Sequence, residues 1–135
     1  MTFTYMGSER KRTALSAGII IRDILANSET VGTDKIYPVV SDNATTPYIV
    51  YRRISAQSVP TRAASGADAV TVEILCMDPD YSGSVELAEA VRAALEYAEL
   101  ERGGLTMRGC MLEDSEELWQ DDTFIQRLIF RVRIN

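Results

Sequence analysis

The chain has no histidine and only two cysteines in 135 residues. Without histidine, the commonest general base and the commonest transition-metal ligand are both missing. Carboxylate and lysine chemistry remain open, but the expectation of an enzyme falls. Cys76 and Cys110 are too few for a disulfide framework. Each sits in an apolar, strand-like run, and both read as reduced core residues that pack as small hydrophobes. Positive charge is also short: 14 Lys and Arg stand against 20 Asp and Glu, a net charge of -6. That balance argues against a general affinity for nucleic acid or an anionic membrane, either of which needs a basic surface. The longest apolar run falls far short of a membrane span. The first twelve residues, MTFTYMGSERKR, lack the apolar core of a secretory signal, so synthesis in a cytoplasm is the default expectation.

What remains is ordinary globular material, 46% hydrophobic and 25% charged. The length fits a single domain over 1–135, with a loosely held arm at about 1–12. A chain of this size buries roughly two-thirds of its unfolded surface, enough for a core without staples.

From Thr13 to about Asn27 the apolar spacing is helical. Ala14, Ala17, Ile21, Ile24 and Leu25 share one face, and Leu15, Ile19 and Ala26 form a second stripe. Such a helix either lies between two core layers or offers one face to a partner. Asn27–Lys35 reads as a loop, Ile36–Val40 as a short strand and Ser41–Thr46 as a polar turn. Pro47–Ile54 is the next strand, opened by a proline at a position that needs no ladder N–H. Ser55–Asp68 is long for a loop and poor in apolar residues, which favours an interaction arm over a simple hairpin tip. Within it, Val59, Pro60 and Arg62 are candidate contact residues.

Ala69–Met77 alternates, with Val70, Val72, Ile74 and Cys76 on one face. Ser82 to about Arg102 predicts the clearest helix, with a stripe of Leu87, Ala88, Val91, Ala94, Leu95 and Ala98. Its glutamates fall opposite, at ordinary amphipathic spacing, and Gly103-Gly104 is the expected stop. Leu105–Asp114 is another strand. Glu113–Asp122 carries six carboxylates in ten residues. It does not follow the calcium-loop pattern and reads as a charged, water-facing turn. Thr123–Ile134 alternates, with Arg127, Arg131 and Arg133 outward. Those arginines face either phosphate or Glu73 and Glu113 on neighbouring strands, and the acidic total favours the second. No catalytic, cofactor-binding or metal-ligating residues are expected. The element order predicts an α+β fold: a mainly antiparallel sheet of four to five strands with two helices packed on one face.

That order resembles the small tail-completion proteins of long-tailed phages and prophages, also called tail terminator or tail-to-head joining proteins. The resemblance rests on the N-terminal helix, Ile36-Tyr37-Pro38, Pro47-Tyr48-Ile49-Val50-Tyr51 with Ile54-Ser55, the Val70–Met77 strand, the helical SVELAEAVRAAL at 84–95, and Phe130-Arg131-Val132-Arg133. It spans roughly Ala14 to Ile134. The individual motifs are short, and the order carries the likeness. The acidic 113–122 segment and the first twelve residues depart from it.

The resemblance implies a non-enzymatic virion protein without cofactors. It would form a homo-oligomeric ring, often a hexamer, between tail-tube and head-completion proteins, assembled in the host cytoplasm and resident at the head–tail junction. Leu15 and Ile19 are then candidate subunit contacts, with Val59, Pro60 and Arg62. Glu113, Asp114, Glu116 and Glu117 are candidate lining of a lumen through which DNA passes without specific binding, and no membrane is involved. The alternative is a small α+β ligand-binding or regulatory module of a bacterial cell.

Overall fold

A computed structural model describes residues 13–39, 45–57, 68–102 and 104–134. The N-terminal arm, most of the polar turn after Pro38, and Val59, Pro60 and Arg62 lie outside the described residues. A short 3-10 turn, Ala14–Ser16, leads into helix α1, Ala17–Ala26. The Thr13 side chain accepts a hydrogen bond from the Leu15 N–H at 3.3 Å, satisfying one free donor at the start. Strands β1, Ile36–Pro38, β2, Tyr48–Gln57, and β3, Asp68–Asp78, follow. Then come helix α2, Tyr81–Leu95, and strands β4, Leu100–Arg102, β5, Leu105–Gln120, and β6, Thr123–Ile134.

The strands form one six-stranded sheet in the order β1-β2-β3-β6-β5-β4. Among the described residues β1 and β2 run parallel, and the remaining neighbours are antiparallel. The fold is therefore α+β, but the sheet is mixed and has six strands, against an expected four to five. The additional strand is β4. The expected long helix stops at Leu95 and not near Arg102. Tyr97 takes a left-handed φ of 63° and donates its N–H to the Cys110 carbonyl at 2.7 Å. That turn lets β4 run back along Leu105–Met107.

The core lies between the helices and one face of the sheet. Ala17, Ile20, Ile21 and Leu25 of α1 are buried there with Leu87, Ala88, Val91 and Leu95 of α2. The sheet contributes Ile49, Tyr51, Val70, Val72, Ile74 and Cys76, and Leu128, Phe130, Val132 and Ile134. Phe130, fully buried, sits between Val72 and Leu112 in the register. Burying one such side chain stabilises by about 1.5–3 kcal/mol. Gly18 lets α1 lie close on the sheet, because a Cβ there would come within 3.3 Å of the Tyr51 ring. Ser84 lies inside α2, buried, and donates to the Tyr81 carbonyl at 2.7 Å.

The acidic segment after Leu112 is not a turn. Strand β5 continues through it to Gln120, paired with β6 up to Gln120 and Thr123. The turn is only Asp121-Asp122, both at positive φ (52° and 58°). Two such residues match the twist of a tight hairpin. Asp tolerates that conformation better than most side chains.

Candidate assembly surfaces

The sheet face away from the helices carries a ladder of ion pairs. Arg52 on β2 meets Glu73 on β3 at 2.9 Å, and Glu73 meets Arg127 on β6 at 2.6 Å. Arg127 reaches on to Glu116 of β5 at 3.3 Å. Arg131 pairs more loosely with Glu113, at 3.7 Å. Arg127 and Arg131 thus face carboxylates of neighbouring strands, as the acidic composition favours. Glu73 is buried within the ladder. Burial raises its carboxyl pKa, but hydrogen bonds from Arg127 and Arg52, with their charges, outweigh that and leave it below its ordinary value. Val50, Ile125 and Ile129 are buried on the same face. Among the described residues no helix covers it.

The far half of the β5–β6 hairpin forms an arm tied to the start of α2. The Tyr81 hydroxyl donates to Glu117 at 2.6 Å, and the Tyr81 ring meets Phe124 edge-on at 5.6 Å. Gln126, buried, donates to both Glu117 and Ser84, at 3.1 and 3.2 Å. The hydrogen bonds from Tyr81 and then Gln126 hold the Glu117 carboxyl below its ordinary pKa. Between α2 and the arm runs a shallow groove of about 180 Å³, floored by Val85, Ala88, Leu112 and Leu128.

The candidate site residues fall in different places. Leu15 and Ile19 are 65% and 39% exposed, outside the core. The four candidate lumen carboxylates do not share one face. Glu117 lies on the helix side, opposite Gln126, whereas Asp114 and Glu116 oppose Ile129 and Arg127 on the open side. Glu113 sits at a register shift between Leu112 and Asp114.

Sequence reasoning missed the apolar side chains of the arm. Leu118 and Trp119 are exposed there, as is Tyr81 beside it, and Met111 is exposed on the inner half. No local signal marked this half as strand: residues 113–117 are all polar and every side chain from Glu113 to Gln120 is exposed. Burial pushes the Cys76 and Cys110 thiols up to about 12, with the Glu96 charge adding at Cys110. Both cysteines are free and buried, as expected of core residues. Among the described residues no cluster of ligating side chains could hold a metal ion, and no helix is long and apolar enough to cross a membrane.

Residues 21–135 match the family model of the tail completion protein gp17. The chain belongs to that family. The family is one of structural virion proteins, which makes this chain a structural tail protein and points away from catalysis. No curated protein matches it. Its fold is similar to that of a chain in the solved virion of a native gene transfer agent particle. There the TM-score is 0.59 at 19% identity, covering 82% of this chain and 83% of the other. A second solved structure has a TM-score of 0.54 at 14% identity, covering 87% of this chain and 95% of its own. At such identities the likeness is one of fold.

Proposed function

We propose that this tail-completion protein assembles into a closed homo-oligomeric ring, most simply a hexamer. The ring ends the tail tube and joins it to the head-completion proteins. The family match over residues 21–135 carries this reading. The likeness in fold to a virion chain supports it, and so does the apolar surface left open at Leu15 and Ile19 and along the arm. Exposed apolar side chains grouped this way mark contact surfaces. The ring forms in the host cytoplasm and stays at the head–tail junction.

Asp114 and Glu116, with Glu113 at the register shift beside them, are the better candidates to face passing DNA, since they lie toward the open face whereas Glu117 lies on the helix side. Carboxylates repel phosphate, so a lumen lined by them conducts DNA without gripping it. Val59, Pro60 and Arg62 remain proposed contacts with a neighbouring subunit. Replacing 58–66 by a short Gly-Ser turn should leave thermal stability nearly unchanged and impair joining.

The decisive experiment is negative-stain microscopy of the purified protein, alone and with isolated tail tubes, together with duplex binding at physiological salt. Rings, or caps on tube ends, with no appreciable DNA affinity are expected. A protein that stays monomeric under both conditions refutes the ring. Tight, salt-sensitive duplex binding refutes the lumen and turns attention to the arginine row. The alternative of a small ligand-binding or regulatory module would gain from a stable monomer or dimer that leaves tubes uncapped.

A further inference from the structure

We infer that the ring contact is heterologous and specific: the exposed stripe of α1 from one subunit seats in the α2–arm groove of the next. The inference rests on the ring reading and names its two surfaces. Leu15 on the 3-10 turn and Ile19 and Arg22 on α1 recur at i, i+4 and i+7, and all three are exposed. They present two apolar side chains followed by a cation. The groove offers the complement. Its floor of Val85, Ala88, Leu112 and Leu128 is apolar, and Glu89 and Glu117 stand along it. Arg92 also borders the groove, but it is engaged by Glu96 at 2.9 Å, which leaves the rim net negative.

The two surfaces are different parts of the molecule, as a head-to-tail contact requires. A contact between unlike patches is what generates rings when the rotation closes, whereas a self-complementary patch stops at a dimer. A helix laying alternate turns into an apolar groove is a common recognition mode. Opposite charge at its edge fixes register and rejects wrong partners. Arg22, exposed one turn beyond Ile19, carries the sign that Glu89 of an adjacent subunit would attract.

Charge reversal and rescue test this. Arg22→Glu and Glu89→Arg change exposed side chains, so each variant should keep the wild-type circular dichroism spectrum. Each single variant should raise the concentration for half-assembly about tenfold. The double variant, with the charges exchanged, should recover assembly close to wild type. Single variants that assemble normally overturn the contact, as does a double variant as impaired as its parents. If Glu89→Arg forms rings but cannot cap tail tubes, the groove belongs to the tube protein, and the second-copy assignment is wrong. In each of those cases a wild-type ring still stands. A wild-type protein that never forms rings removes the ring reading itself.

Discussion

The two halves of β5 share one partner strand and differ sharply in burial. From Leu105 to Leu112 the strand alternates, with Leu105, Met107 and Cys110 buried beneath the helices. From Glu113 to Gln120 every residue is exposed. Both halves pair with the same partner, β6. Backbone pairing is therefore common to both, and burial is not. The inner half is fixed by packing. The outer half is held by its ladder, by Tyr81 and Gln126, and by a tight two-residue turn, and Leu118 and Trp119 are left exposed on it. A natural edge strand is guarded by charge against indiscriminate pairing, and this one carries Glu113, Asp114, Glu116 and Glu117. Leu118 and Trp119 follow that guard with exposed apolar surface, which is why the arm reads as a contact surface.

The comparison breaks first at the core. Phe130 lies opposite Leu112, where the inner half ends, and is fully buried. Phe130→Ala should cost about 3–5 kcal/mol by chemical denaturation, because it opens a cavity under both helices. A loss comparable to that of a surface change would mean the inner half is not what holds the fold.

The ion ladder is intermediate between the two regimes. Glu73→Gln should cost about 1 kcal/mol, since Arg52 is half exposed and screened by water. The pH dependence follows from the depressed Glu73 carboxyl. Its contribution is fully present above the ordinary value of 4.5 and is lost as pH falls through the lower folded value. Melting temperatures of wild type and Glu73→Gln should differ at neutral pH and converge below about pH 4.5. A constant gap across that range would remove Glu73 from the account.

The smallest effect on stability should come from the arm. Trp119→Ser removes a side chain that is 61% exposed, and the denaturation midpoint should move by less than about 0.5 kcal/mol. Assembly on tail tubes should nonetheless weaken. If stability falls as far as with Phe130→Ala, the outer half belongs to the core and the contrast fails.

Much of the inner region was legible in the sequence. The alternation of Val70, Val72, Ile74 and Cys76, the Leu87-Ala88-Val91-Leu95 stripe and the alternation closing on Ile134 each follow a single period. Each ends in the core as expected. The outer region was obscured for physical reasons. Carboxylates at 113–117 have little strand propensity, and the strand exists because β6 returns along it, a partner no local window contains. The end of α2 was hidden similarly. Ala98 continues the helical spacing, while the stop is set by Tyr97 reaching the distant Cys110 carbonyl. Leu15 and Ile19 were legible as a stripe apart from the main one, and the structure leaves both exposed.

The central claim is that the fold is complete within one chain while assembly depends on what it leaves exposed. Native mass spectrometry of wild type beside a Leu15→Asp/Ile19→Asp variant tests it most directly, with circular dichroism recorded on the same samples. Wild type should appear at a closed multiple of the 15.0 kDa subunit, a hexamer on the present reading. The variant should appear at the subunit mass with an unchanged spectrum. A variant that loses its spectrum would make these residues core, and a variant ring of wild-type mass would show that the ring is held elsewhere.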